Sequence, residues 1–211
     1  MNYLRKPFRY RNDNVVYIII GINILVYLAQ LFLRQLNITF LFSLFPPAVF
    51  RGWIWQFLTY MFVHDPQSMG HIIFNMLALF IFGSRVEQHM GSREFLLFYL
   101  LTGILAGFFS FVVYCLTGSL LVQLMGASGA IFAVQLAYAV FFPDSVIYFW
   151  GILPLRAPVM VLAFTVLSLV SMISGFGGNV AHLTHLAGFG FAWLYFLARF
   201  SINPWRALTR K

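Results

Sequence analysis

Long apolar runs separated by short polar segments dominate the sequence. A helix needs about 20 mostly apolar residues to cross the hydrocarbon of a bilayer, because each residue rises only ~1.5 Å. Six runs reach or approach that length, and the fourth is the shortest. We expect the fourth to be shielded from lipid by the others or to begin below the membrane surface. The predicted spans cover residues 15–33, 70–88, 94–116, 126–142, 157–175 and 180–199.

The connections between these runs predict a simple organisation. Residues 1–14 and 201–211 are expected to be tails, and residues 15–200 a six-helix core. No small-residue cleavage site follows the first run, so we expect a retained transmembrane helix rather than a signal peptide. The long extracytoplasmic connection 34–69 is rich in aromatic and apolar residues. Because Trp and Tyr favour the lipid–water boundary, we expect it to lie against or dip into the outer leaflet.

The composition excludes an ordinary soluble domain. Of the 211 residues, 62% are hydrophobic and 9% are charged. A soluble domain is about 25% charged, because its surface must face water. Lipid must therefore be the solvent for much of this surface. The expected fold class is all-α, a polytopic membrane protein with a bundle of six transmembrane helices.

The net charge of +8 does not indicate a nucleic-acid partner, because the basic residues are sparse and lie between the apolar runs. With six spans the connections fall on two sides, and cytoplasmic segments carry an excess of Lys and Arg. One side holds only Arg34 and Arg51. The other side, with both tails, is predicted to be cytoplasmic, in an inner (plasma) membrane protein. Its basic residues are Arg5, Lys6, Arg9, Arg11, Arg85, Arg93, Arg156, Arg199, Arg206, Arg210 and Lys211.

Ser128 lies in a small-residue sequence, Gly126-Ala127-Ser128-Gly129-Ala130, at the start of the fourth span. A serine at a helix N-terminus lies among unpaired N–H groups and the positive end of the helix dipole, which can stabilise an oxyanion. Taken alone, such a sequence is more often a patch where membrane helices pack, with the serine as a cap. The soluble-hydrolase pattern G-x-S-x-G is not met, because Ala130 fills its last position.

Two further polar pairs lie in predicted spans, where polar groups are costly and are usually functional or paired. His182 and His185 are three residues apart, and His71 and Asn75 are four apart, so each pair shares a helix face. His71 and Asn75 can donate hydrogen bonds to a carbonyl oxygen that gains negative charge. For either pair alone, a structural role is at least as well supported.

Together these residues predict an acyl-transfer site. The topology brings Ser128, His185, His71 and Asn75 to the extracytoplasmic ends of three spans. A nucleophile, a base and two oxyanion donors at one depth are the parts of such a site. Of the acidic residues only Asp65 falls on that side. The expected catalytic group is therefore a Ser-His dyad, which suffices if packing holds the imidazole.

These residues resemble the rhomboid family of intramembrane serine proteases over nearly the whole chain. Four motifs, weak singly and highly specific together, occur in the family's order. They are His71-Ile-Ile-Phe-Asn75, Gly83-Ser-Arg-Val-Glu87-Gln-His-Met-Gly91, Gly126-Ala-Ser128-Gly129 and Ala181-His182-Leu-Thr-His185-Leu-Ala-Gly188. The chain departs from the family in the long connection, where the family often has Trp-Arg and this sequence has Trp55-Gln56.

The resemblance implies a role for each site residue. Ser128 would be the nucleophile and His185 the base, while His71, Asn75 and the Ser128 backbone N–H would form the oxyanion hole. Further residues implied to support the site are Gly126, Gly129, Phe132 and Gly188, with His64 matching another family histidine and His182 in a packing or hydrogen-bonding role.

The expected function is cleavage of transmembrane protein substrates within the lipid bilayer, without a cofactor, a metal or nucleic acid. One rival is a metalloprotease that uses His71, His182 and His185. It is disfavoured because zinc proteases usually add an acidic ligand and a Glu base. A second rival is a catalytically silent rhomboid-like binder or transporter. No motif encodes the natural substrate or the oligomeric state.

Overall fold

The computed structural model describes residues 8–149, 152–174 and 179–209. Parts of both predicted tails (1–7 and 210–211) and the end of the fifth predicted span at residue 175 lie outside the described residues. The helices are α1 (Val15–Phe32), α2 (Ile38–Phe42), α3 (Pro46–Val49), α4 (Gln56–Thr59), α5 (Met69–Ala78), α6 (Ser84–Met90), α7 (Ser92–Thr117), α8 (Ser128–Phe141), α9 (Ala157–Ser174), α10 (Asn179–Tyr195) and α11 (Pro204–Leu208).

Among the described residues, three helices are long and apolar enough to cross a bilayer. They are Val15–Phe32, Ser92–Thr117 and the continuous segment Met69–Met90, in which a π-helical turn at Leu79–Gly83 joins α5 to α6. Two shorter apolar helices are Ser128–Phe141 and Ala157–Val170. Because three apolar helices of this length each span the hydrocarbon, the chain is a multi-pass membrane protein.

Helix α8 is the centre of the bundle. It packs against α7, α9, α10 and the π-helical turn after α5, and ten of its fourteen residues are buried. This confirms the prediction that the short fourth run is shielded by the others. The helix begins two residues later than predicted, at Ser128, because Gly126 adopts a φ of +114°, outside the helical region. Small residues (Gly129, Ala130, Ala133 and Ala137) let its neighbours approach closely.

The described structure is mostly helical, as predicted, but the connection between α8 and α9 adds one short pair of strands. Val146–Phe149 and Leu153–Arg156 form an antiparallel two-stranded hairpin, with Val146 opposite Arg156. The sequence predicts no strand between the fourth and fifth spans. Its first strand, Val-Ile-Tyr-Phe, consists of the β-branched and aromatic residues that favour extended backbone. The whole connection is also too short to form another transmembrane span.

The long connection before α5 is held by buried polar side chains. Gln56 accepts a hydrogen bond from the Phe45 backbone N–H at 3.1 Å and donates to the backbone carbonyls of Phe40 and Leu41. Tyr60 donates to the Gly103 carbonyl at 2.7 Å, which ties the connection to α7. The exposed side chains of the connection include large apolar ones such as Phe50, Ile54 and Trp55. These exposed groups are consistent with the predicted position at the outer leaflet, which stays a prediction.

Two buried glutamates join elements on the side opposite that connection. Glu87 accepts hydrogen bonds from the backbone N–H groups of Val15 and Val16, at 2.7 and 2.9 Å. It therefore satisfies donors at the start of α1 that have no partner within the helix. Glu94 pairs with Arg199 through two hydrogen bonds of 2.7 and 2.8 Å. This pair ties the start of α7 to the π-helical turn Phe196–Phe200, which follows α10.

We predict that the Glu94→Gln substitution lowers the free energy of unfolding by about 2 kcal/mol, because it removes the buried carboxylate that pairs with the partly buried Arg199. The measurement is equilibrium unfolding in mixed detergent micelles. Asp13→Asn is the control, since Asp13 pairs with Arg11 at an exposed site, where the loss should stay below about 1 kcal/mol. Equal losses for the two variants would contradict the prediction.

Candidate active site

The side chains of Ser128 and His185 meet between α8 and α10. The Ser128 Oγ lies 2.8 Å from the His185 Nε2, which is hydrogen-bonding distance. Ser128 is the first residue of α8, so its hydroxyl lies at the N-terminal end of that helix. The structure thus brings together the hydroxyl and the imidazole that the sequence placed on two different spans.

Glycines allow α8 and α10 to approach closely enough for this contact. A Cβ atom on Gly188 would lie 2.0 Å from the Gly129 carbonyl oxygen, so only glycine fits there. Four residues earlier in α10, Thr184 shares a hydrogen bond of 2.7 Å with Ser110 between their hydroxyls. Since Thr184 precedes His185, this bond fixes the turn of α10 that carries His185 against α7.

The imidazole of His185 is oriented by ring packing. The Phe132 ring stacks on it with centroids 4.1 Å apart and planes 12° apart. The His182 ring lies edge-on to it at 5.9 Å. Within the described part of the chain, no carboxylate bonds to His185. The ring is therefore held by stacking rather than by the acid of a triad.

His71 and Asn75 face the same site from α5. The Asp65 backbone N–H donates to the His71 Nδ1 at 3.4 Å, so a neutral His71 carries its proton on Nε2. A Cβ atom on Gly126 would lie 2.7 Å from that Nε2. The glycine therefore leaves room for the ring next to the start of α8. Asn75 donates one amide hydrogen to the His71 carbonyl at 2.7 Å, and its second amide hydrogen stays available.

These side chains open into one cavity of about 780 Å³ between α5, α8 and α9. Ser128, His185, His71 and Asn75 all line it, and most of its remaining wall is apolar. The hairpin contributes Ile147 and Tyr148 to the wall. The cavity can hold a chain segment next to the Ser128 hydroxyl.

The polar residues of this cavity include some that the sequence did not predict, and the buried one among them is Gln135. A signal was available: Gln135 follows Ser128 by seven residues inside an apolar run, which places both on one face of a helix.

In the described ranges, no group of three or more His, Cys, Asp or Glu side chains is arranged to bind a metal ion. The metalloprotease alternative therefore has no ligand set there.

A rhomboid domain model matches residues 51–202, which is more than half of the chain. The chain belongs to the rhomboid family. This rhomboid protein is 29% identical over 182 residues to the rhomboid protease GlpG of Haemophilus influenzae, a match that covers 86% of the chain and 90% of that relative.

Two further relatives match over shorter stretches. Rhomboid-like protein 11, chloroplastic, of Arabidopsis thaliana is 35% identical over 130 residues, 62% of this chain and 42% of that relative. The rhomboid protease GlpG of Salmonella newport is 30% identical over 113 residues, 51% of this chain and 40% of that relative. The recognition of a rhomboid from its four motifs is thereby confirmed.

His64 packs behind the site of this rhomboid protein. Its ring is fully buried and lies edge-on to the His71 ring, with centroids 5.1 Å apart. Neither ring nitrogen has a hydrogen-bond partner among the described residues. Burial, and then the neighbouring His71 ring, lower the pKa of His64 from 6.5 to about 3. The folded protein therefore keeps this imidazole neutral.

We predict that the buried His64 makes the free energy of unfolding decrease as the pH falls. The unfolded chain binds a proton at His64 below pH 6.5, whereas the folded chain does so only near pH 3. The stabilisation is therefore complete above pH 6.5 and is lost as the pH falls toward 3. Between pH 7 and pH 5 the loss should be about 2 kcal/mol.

The measurement is the free energy of unfolding in mixed micelles at pH 7 and pH 5, for the wild type and for His64→Leu. The variant should lack this loss of about 2 kcal/mol, since leucine does not titrate. The other histidines are present in both proteins and cancel in the comparison. If both proteins lost the same free energy, the buried neutral state of His64 would be refuted.

We also predict that Gly188→Ala destabilises the helix pair α8–α10. The added methyl would overlap the Gly129 carbonyl oxygen, and such overpacking should cost about 3 kcal/mol of unfolding free energy. Gly190→Ala is the matched control on the same helix, because a Cβ atom there would meet nothing within 4 Å. The free energy of unfolding in mixed micelles should not be lower for Gly190→Ala than for the wild type. A stable Gly188→Ala protein would contradict the close approach.

Proposed function

We propose that this rhomboid protein is an intramembrane serine endopeptidase that cleaves transmembrane segments of membrane proteins. The observation that carries the proposal is the 2.8 Å contact between the Ser128 hydroxyl and the His185 imidazole in a membrane-protein cavity. A hydroxyl next to an imidazole is the arrangement that turns a weak nucleophile into a strong one. The similarity to relatives named as rhomboid proteases supports the same reaction.

The first step is proton transfer. The His185 Nε2 takes the proton of Ser128 while the Oγ attacks the carbonyl carbon of the scissile peptide bond. This forms a tetrahedral intermediate, and the resulting imidazolium then donates its proton to the leaving amine. Stacking on Phe132 keeps the ring in position during both transfers. Water then hydrolyses the acyl-enzyme, and Ser128 regains its proton.

The oxyanion of the intermediate is stabilised by three donors. The His71 Nε2–H, which the bond from Asp65 to Nδ1 selects, is the first. The free amide hydrogen of Asn75 and the Ser128 backbone N–H at the start of α8 are the others. Donors fixed before the reaction stabilise developing charge strongly in a site that excludes bulk water. Gly126 and Gly129 leave space for the substrate backbone beside them.

The substrate is a transmembrane protein, and the cavity between α5 and α9 receives its unwound segment from the side. We propose six spans, formed by α1, the α5–α6 segment, α7, α8, α9 and α10, with the outer connection over residues 34–69. Residues 1–14 and 201–211 are then cytoplasmic tails in an inner (plasma) membrane protein, as the excess of basic residues on that side supports.

The rival function is a catalytically silent rhomboid-like binder or transporter. The name of the Arabidopsis thaliana relative, rhomboid-like protein 11, mentions no protease activity. A carrier does not need the Ser128 hydroxyl, so its transport should survive Ser128→Ala. A peptidase should lose turnover completely with the same change.

We predict that Ser128→Ala and His185→Ala each lower cleavage of a model transmembrane substrate in detergent at least about 1,000-fold, because they remove the nucleophile or its base. A fluorophosphonate probe should label Ser128 in the wild type, as mapped by mass spectrometry. Ser119→Ala is the control, since Ser119 is exposed in the connection before α8. Undiminished cleavage by Ser128→Ala, or a label on another residue, would refute the proposed function.

A further inference from the structure

Gln135 is a buried amide in the cavity wall whose partner is absent. The residue lies on α8, and its side chain is only 5% exposed. Its Oε1 is buried without a hydrogen-bond partner, and its amide bonds to no group in the described part of the chain. Buried polar side chains are almost always hydrogen-bonded. An unpaired amide in a cavity therefore indicates a partner that arrives from outside.

The position of Gln135 relative to Ser128 sets where that partner would lie. Seven residues make two helical turns, so the two side chains share a face of α8 and stand roughly 10 Å apart along it. Both line the same cavity. An extended peptide rises about 3.3 Å per residue. A substrate segment that passes Ser128 therefore reaches Gln135 about three residues from the bond under attack.

The chemistry around Gln135 restricts what can bind there. Most of the other side chains that line the cavity are apolar, among them Ala78, Phe82, Ile131, Met160 and Phe164. No Asp, Glu, Lys or Arg of the described chain lines the cavity. A charged substrate residue would lose its hydration without gaining a counter-ion. A neutral hydrogen-bond donor would satisfy the Oε1 at no such cost.

We infer that Gln135 is a specificity-determining residue, which binds a hydroxyl or carboxamide side chain (Ser, Thr, Asn or Gln) of the substrate segment about three residues from the cleaved bond. The inference rests on the proposed function and adds the class of substrate residue to it. Such polar residues also weaken a transmembrane helix, because they compete for its backbone hydrogen bonds. One substrate side chain thus serves both recognition and unwinding.

The test compares two sets of reporter substrates with one transmembrane segment. One set carries a single Asn at successive positions around the cleaved bond, and the other carries Leu at the same positions. For the wild type, kcat/KM should favour the Asn reporter by about tenfold at one position, about three residues from the cleaved bond. For Gln135→Met, which keeps the side-chain length but has no amide, this ratio should fall to about one.

Gln30→Met is the matched control. Gln30 is also a buried glutamine, but it does not line the cavity, and its amide donates to Thr39 and to the His64 carbonyl. This variant should unfold at a lower temperature and keep the tenfold ratio. The unfolding temperature of Gln135→Met should not be lower than that of the wild type, because the substitution breaks no hydrogen bond. Gln135→Leu provides a second apolar replacement at the site.

The outcomes separate the two proposals. If the wild type cleaves no reporter, the proposed function fails and the inference fails with it. If the wild type cleaves both sets at a ratio near one at every position, only the inference is overturned. If Gln135→Met and Gln135→Leu keep the ratio, or slow both sets equally as expected for an amide that holds only a water molecule, the inference is overturned as well.

Discussion

The close contact between α8 and α10 is the constraint on which the site depends. The Gly188 Cα lies against the Gly129 carbonyl, where a methyl group would stand 2.0 Å from the oxygen. At this separation the Ser128 hydroxyl and the His185 imidazole reach each other at 2.8 Å. Lipid tails are as apolar as the helix surfaces, so little hydrophobic force drives helices together in a membrane. Close packing of small residues must supply the contact instead.

The surrounding lipid also explains where the rest of the fold places its polar groups. An unsatisfied polar group in hydrocarbon is costly, and three polar side chains of this bundle each meet a partner in another element. Glu87 satisfies the start of α1, Gln56 holds the outer connection and Glu94 neutralises Arg199. Some buried polar atoms of the described residues lack a partner, both ring nitrogens of His64 among them. Of the residues with such an atom in the described chain, only Gln135 lines the cavity of the site, where a ligand can reach it.

Much of this rhomboid protein could be predicted from its sequence. The apolar runs gave the helices to within a few residues, because the thickness of the bilayer sets a minimum length for a span. The buried position of the short α8 was also predictable. Two features of the backbone near the site were missed. The hairpin at Val146–Phe149 and Leu153–Arg156 escaped because short β-pairing has no signal beyond local propensity. The late start of α8 escaped because it depends on the backbone of Gly126.

The sequence by itself determined the class of protein, its apolar helices, its family and the residue types available for chemistry, because each follows from composition, run length or motif. The sequence also predicted that Ser128, His185, His71 and Asn75 come together, but only the tertiary structure decided the contacts that hold and surround them. Stacking of Phe132 on His185, the bond from Asp65 to His71 and the isolation of Gln135 join residues from separate elements, or depend on what surrounds them. Such contacts depend on distances of a few tenths of an ångström between helices, which no spacing along the chain records.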